Sequence, residues 1–311
     1  MTPASAATAA VGKLRFGFAC IPLGLPQPVV RTCRLENATP SRLRELIEAN
    51  LAALDACLDY VARLNLELFR INSGVIPFAS HPVNGLPWTR LYAAPLAALG
   101  RKARRLGLRL SMHPGQFTVL NSPSPDVVAA SVAELKYHAD FLDALGMAQD
   151  SKVVIHLGGV YGDKPAALRR LDGAWARLPR DVRRRLVLEN DERLYSAQEA
   201  LDAAERLDAP MVFDRFHHRV YGGPSGAPVA ALLRRAVKTW RRRDGRPKVH
   251  FSSQAAGEKA GTHGETIVKG EFEEFLEESR GIDLDVMVEA RAKEAAALEA
   301  RDWARQAGRT K

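Results

Sequence analysis

RLSMHPGQFTVLNSP (residues 109–123) begins as an apolar strand and stops abruptly at a histidine. Pro114 and Gly115 cannot continue a strand ladder, so His113 stands at the rim of a sheet where the chain turns away. The same event recurs along the chain. KVVIHL (152–157), RRLVLE (184–189), PMVFD (210–214), PKVHFS (247–252) and LDVMVE (284–289) are short apolar runs that end in or beside His, Glu or Asp. LRFGFACI (14–21), LELFRI (66–71) and LRLSMH (108–113) bring the number of candidate strands to eight. Between them lie segments such as 41–64 and 126–145, with apolar residues spaced three and four apart as on one face of a helix. Only the stretch after PKVHFS, rich in Gly, Lys and Ser, reads as loop. Alternating strands and helices indicate a parallel sheet, and eight such units favour a closed α/β barrel of the TIM (β/α)8 type.

A chain of 311 residues suits one such barrel, expected over residues 13–311. The small and polar residues 1–12 read as a disordered leader that lacks the basic start and apolar middle of a secretory signal. No apolar run reaches the length a bilayer requires, which points to the cytoplasm, and a monomer is expected. Cys20, Cys33 and Cys57 are odd in number and lack metal-ligand spacing, so they read as small core residues. The net charge of +9 suits a polyanionic partner. Arginine runs at 101–105, 183–185 and 241–243 read individually as solvated surface.

In a barrel of this type the active site lies at the C-terminal ends of the strands. His81 follows the second strand, His113 ends the third, His156 lies in the fourth, and Glu189 ends the fifth. Asp214 and His217 come from FDRFHH, His250 from KVHFS, His263 from the loop GTHGE, and Glu289 closes the eighth strand. One strand histidine is ordinarily a hydrogen-bonded core residue. Here six of the eight histidines and three carboxylates fall at rim positions, which independent accidents do not explain. His138, within a helical pattern, reads as surface or packing, and His218 as a neighbour of His217. Asp191 and Glu192 either orient ligands or contact partners, or start a helix.

Imidazoles and carboxylates without thiolates suit Zn²⁺, Mn²⁺ or Fe²⁺, and nine candidates exceed the needs of one ion, so two or three are implied. Such a cluster activates water and clamps both oxygens of a phosphodiester displacement. Combined with the basic charge, this makes cleavage of a nucleic-acid backbone the leading reading. Lys248 lies two residues before His250, so both point to the same face of the strand. A lysine beside metal ligands is out of place by charge unless it is deprotonated, carbamylated or turned to a phosphate. A lysine at a strand start reaching solvent is the plainer alternative.

PFASHP, RLSMHPGQF, VIHLGG, YGDK, LENDER, FDRFHH and KVHFSSQ, followed by VMVEA, resemble in order the ultraviolet damage endonucleases, relatives of the endonuclease IV barrels. The resemblance runs from about residue 14 to 294. It implies a TIM barrel with a divalent cluster, usually manganese, with zinc, cobalt or magnesium as alternatives. The implied activity is a nick in damaged double-stranded DNA immediately 5′ of pyrimidine dimers, 6-4 photoproducts and abasic sites, by metal-activated water attack leaving 3′-hydroxyl and 5′-phosphate ends. Carried over by position, the family's metal ligands fall on His81, His113, His156, Glu189, Asp214, His217, His250, His263 and Glu289. The family lysine that can be carboxylated falls on Lys248. Glu189, Lys248, His250 and Glu289 are the candidate catalytic residues. Gln116 and Phe117 take the place of the pair that probes the lesion and fills the helix after bases flip out, with Phe18 as a further lesion contact. Relatives often carry tyrosine at the positions of Phe18 and Phe117, and asparagine at that of Pro22. Stacking survives a change from Tyr to Phe, whereas a phenolic hydrogen bond does not.

Two other readings compete. Related barrels that hold His, Asp and Glu around two ions include metal-dependent sugar isomerases, which need a small closed pocket rather than positive charge. A DNA-binding scaffold without a working cluster would bind no metal.

Overall fold

The computed structural model describes residues 11–222 and 227–310. Eight parallel strands, β1 (Leu14–Ala19), β2 (Leu68–Ile71), β3 (Arg109–Met112), β4 (Lys152–His156), β5 (Leu186–Glu189), β6 (Met211–Asp214), β7 (Lys248–Phe251) and β8 (Leu284–Val288), pair in sequence order, and β8 closes on β1. The principal helices are α1 (Pro40–Arg63), α2 (Ala93–Arg105), α3 (Pro125–Ala144), α4 (Lys164–Arg177), α5 (Ala197–Arg206), α6 (Val229–Thr239), α7 (Lys269–Glu278) and α8 (Glu294–Gln306). This is the expected TIM barrel. Its helices start where local chemistry satisfies their free N–H groups. Thr39 accepts from Arg42 N ahead of α1, Asp163 accepts from Ala166 N ahead of α4, and Ser196 with Glu199 forms a capping box on α5. The stretch between β7 and α7 is loop apart from one bridge pairing Gln254 with His263.

Side-chain parity along the strands divides the interior. Phe16 on β1 and Phe251 on β7 face the helix layer, where both meet Phe272 of α7, with centroids 6.1 and 5.2 Å away. Residues of opposite parity fill the barrel lumen. At its N-terminal end Asp285 accepts from Arg15 Nε at 2.7 Å and from Arg109 Nη1 at 2.6 Å. Val154, Val187 and Val212 cluster with Trp240, and the polar rim lies beyond the valines. The lumen therefore carries an ion-pair layer at one end and the polar rim at the other, with these valines between them.

Several expectations need correction. Phe18 shares the parity of Phe16, is fully buried, and packs edge-on against Phe69 at 5.6 Å, so it belongs to the core and not to a DNA-facing surface. The run at 183–185 is not wholly solvated: Arg185 is buried and donates to the carbonyls of Met147, Ala148 and Ser151 and to Asp143. Arg241 and Arg243 do lie at the surface, both paired with Asp208. The reading of 1–12 as a leader falls outside the described residues except at Val11 and Gly12, and Gly12 is already buried, its carbonyl accepting from Arg309. Cys57 is buried, and Cys20 and Cys33 are partly so. Among the described residues no helix is long and apolar enough to cross a membrane.

Candidate metal centre

The strand register carries the rim residues to one place. His156 on β4 is the lateral partner of Glu189 on β5, and Asp214 on β6 that of His250 on β7, so each pair projects to the same face. Glu189 is the hub. Its two oxygens meet His250 Nδ1 at 2.5 Å and His113 Nε2 at 2.9 Å, with His156 Nε2 at 3.6 Å. His250 Nδ1 also lies 3.0 Å from Glu289, whose carboxylate is paired with Arg70 of β2. A chain of imidazoles crosses the mouth: ring centroids are 6.2 Å apart from His250 to His113, 5.3 Å to His156, 5.6 Å to His217 and 6.2 Å to His263. Among the described residues two groups have ligand atoms close enough to share an ion, His113 with His156 and Glu189, and Glu189 with Asp214 and His250.

The donor chemistry fits divalent ions. Nδ1 of His113, His217 and His263 lies 3.0, 3.0 and 2.6 Å from the carbonyls of Pro114, Asn190 and Glu289. A carbonyl only accepts, so each Nδ1 carries a proton, which is the usual second contact of a metal-bound histidine, and each Nε2 is the atom that would meet an ion once any proton of its own is released. Asp214 Oδ2 and His156 Nδ1 are buried without a hydrogen-bond partner. Two buried carboxylates, Glu189 and Asp214, and the partly buried Glu289 gather around one arginine, an excess of acid that cations would correct.

Protonation follows the same imbalance. Burial pushes His156 down to about 4, against the pull of Glu189, leaving a neutral ring able to bind metal. Burial raises Glu189, but His250 and His156 overcome it and hold the carboxyl well below its ordinary range. Asp214 rises to about 6, mainly through burial, with His217 opposing and Glu189 adding to the rise. Burial lowers His217, yet Asp214 and the other carboxylates carry it up to about 9. Bound divalent charge would reverse the logic of such a site and release the histidine proton.

Lys248 does not reach solvent. Its Nζ is buried without a hydrogen-bond partner, and burial, reinforced by Arg109, pushes it down to about 7. His81 stands apart: it is exposed, its Nδ1 accepts from Val83 N, and its ring lies 6.2 Å from Phe78 rather than against another histidine. Gln116 and Phe117 are both exposed on the loop after β3. His218 stacks on Phe213 at 5.5 Å. Asp191 organises its own loop, accepting from the backbone N–H groups of Arg193, Leu194 and Tyr195, and Glu192 approaches His217 Nε2 at 3.9 Å.

Some supporting residues escape sequence reasoning. Asn190 exchanges two hydrogen bonds with the Asp214 backbone and accepts from His217, so it holds both candidate ligands of the β6 end. Its place inside LENDER, directly after Glu189, was the available signal. Arg70 had none beyond its parity on β2. His138, read as surface or packing, is fully buried on α3 and contacts Ser73 Oγ, which reaches the His113 carbonyl.

Comparison with known proteins adds to this geometry. A UV DNA damage endonuclease of Clostridium perfringens is 34% identical over 286 residues, spanning 92% of this chain and 69% of that protein. One from Bacillus velezensis is 33% identical over 295 residues, spanning 91% of this chain and 92% of that protein. The crystal structure of SacUVDE superposes with a TM-score of 0.88 at 32% identity, covering 96% of this chain and 99% of that one. Endonuclease IV of Thermus thermophilus and D-psicose 3-epimerase of Clostridium cellulolyticum each reach a TM-score of 0.55 at 18% identity, a likeness of fold alone. The family model of UV-endonuclease UvdE matches residues 14–305, and the chain belongs to that family.

Proposed function

We propose that this protein is a DNA repair endonuclease that uses two or three divalent ions, manganese foremost, to nick the backbone of damaged double-stranded DNA immediately 5′ of cyclobutane pyrimidine dimers, 6-4 photoproducts and abasic sites. The observation that carries this reading is the convergence of His113, His156, Asp214 and His250 on the buried carboxylate of Glu189. Bound ions supply Lewis-acid activation of water and neutralise the scissile phosphate. His113, His156, Glu189, Asp214, His217, His250, His263 and Glu289 would hold them, with His81 joining from the exposed loop after β2.

The chain's own groups do the rest. Glu189 and Glu289 set the negative charge of the pocket, and His250 lies between them. Burial brings Lys248 down to about 7, so part of it is the free amine that takes up carbon dioxide, which supports the carboxylation implied for its family position. Phe117 and Gln116 enter the helix at the lesion, where unstacking costs less because pairing is already weakened. Arginines and lysines at the rim bind phosphates without reading sequence, and damaged DNA is selected by its deformability.

Incubating the protein with a duplex carrying one thymine dimer, with Mn²⁺ or with chelator, tests this reading. The expected product is a single metal-dependent nick directly 5′ of the dimer with 3′-hydroxyl and 5′-phosphate ends, lost in His113→Ala and Glu189→Ala. An uncut dimer and abasic site with metal present would refute it.

A further inference from the structure

Among the described Phe, Tyr and Trp residues two side chains are exposed, Phe117 at 75% and Tyr161 at 47%. Both lie on loops at the C-terminal face, Phe117 four residues beyond His113 and Tyr161 five beyond His156. The two loops are stapled together. Asn121 Nδ2 donates to Gly159 O at 2.8 Å, Gly159 N donates back to Asn121 Oδ1 at 3.1 Å, and the Tyr195 hydroxyl donates to the same Gly159 carbonyl. Tyr161 is held at φ +51°, a left-handed conformation that a bulky residue adopts rarely and at a conformational cost. A Cβ on Gly159 would come within 2.8 Å of its ring, so the glycine leaves the ring its place.

Arg170 of α4 supports that ring. Its guanidinium carbon lies 5.5 Å from the Tyr161 centroid, its Nε donates to Asn121 O at 2.8 Å, and its Nη2 is buried without a partner. Beside it, between α4 and the start of α3, runs a groove of about 670 Å³ lined by Arg169, Arg170 and Arg177 and by no acidic residue. An exposed aromatic face next to unneutralised cations is the arrangement that binds an unstacked nucleotide: the ring takes the base and the arginines take its phosphates.

We propose that Tyr161 and the Arg169–Arg170 groove form a second nucleotide subsite, in which Tyr161 stacks on a base displaced from the helix beside the Phe117 wedge while Arg169 and Arg170 bind that strand's phosphates. The inference rests on the DNA reading above and adds to it a stacking platform fixed in position before DNA arrives. The test uses the full chain in EDTA, where no strand is cut. Fluorescence anisotropy would measure binding to a thymine-dimer duplex and to its undamaged counterpart, and 2-aminopurine next to the dimer would report unstacking. Tyr161→Ala is expected to weaken binding to the dimer duplex about tenfold and binding to the undamaged duplex less than about twofold, with a changed 2-aminopurine signal that Tyr161→Phe restores. Arg169→Ala should weaken both and lower the salt dependence by about one counterion. If wild type prefers the dimer duplex but Tyr161→Ala binds it equally well, or loses the same factor on both duplexes, the subsite is refuted and the endonuclease reading stands. If wild type neither binds nor, with Mn²⁺, nicks the dimer duplex, both readings fall.

Discussion

His138 offers a measurable link between the core and the metal centre. Its Nδ1–H donates to the Glu134 carbonyl at 2.8 Å, and its Nε2 lies 2.8 Å from Ser73 Oγ. Ser73 Oγ is also 3.0 Å from the carbonyl of His113, but a hydroxyl has one proton, so it serves the neutral ring or the carbonyl and not both. Burial pushes His138 from 6.5 down to about 4, with the Glu134 carbonyl opposing and His113 adding to the effect. A base whose folded pKa is below its unfolded value binds fewer protons when folded, so it removes stability as pH falls through the unfolded value. Between pH 6.5 and pH 5 this amounts to roughly one and a half units at about 1.4 kcal/mol each, or about 2 kcal/mol. His138→Gln keeps an amide donor and acceptor but does not titrate. Urea unfolding in EDTA at pH 7 and pH 5 should therefore show wild type losing about 2 kcal/mol more than the variant. Equal losses would refute the assignment of a buried neutral histidine that must charge on unfolding.

Two further predictions concern the centre itself. Arg70→Ala strips the partly buried Glu289 carboxylate of its cation and should cost about 3 kcal/mol in EDTA, with most of it regained on adding Mn²⁺; Arg235→Ala, which breaks an exposed pair with Glu205 and Asp202, should cost less than about 1 kcal/mol in either condition. Calorimetry with and without metal reads both. Mn²⁺ at about a hundredfold excess over its Kd should stabilise wild type by about 2.7 kcal/mol per site, and Glu189→Ala should abolish this shift; an undiminished shift would place the ions elsewhere.

The barrel and most of its rim were legible because both depend on periodicity. Short apolar runs between amphipathic stretches specify strands and helices, and a ligand at the end of each strand needs only the rule that such ends share one face. His156 with Glu189, and Asp214 with His250, come together by register alone. Phe18 falls on the helix side for a reason no local pattern carries: Arg15 pairs with the distant Asp285 inside the lumen, which sets Arg15 and Gly17 on that face and Phe16 and Phe18 on the other. What stayed hidden were contacts between residues far apart in sequence. Ser73, His138 and Arg70 reach the site across separate elements, and no local pattern records which carbonyl a buried side chain will find.

The fold cannot decide the chemistry, since an endonuclease and a sugar epimerase superpose on it equally well. Discrimination lies in what surrounds the ions. A sugar-sized substrate needs walls that enclose it and polar groups that converge on its hydroxyls. Here the loop after β3 turns Phe117 outward instead, next to Gln116 and above His113, where it encloses nothing. An apolar side chain held in water at the mouth of a buried ionic site, on a chain of net charge +9, gains stability only when something apolar covers it and something anionic surrounds it. A DNA helix opened at a weakened step offers both at once, stacked bases for the ring and phosphates for the charge.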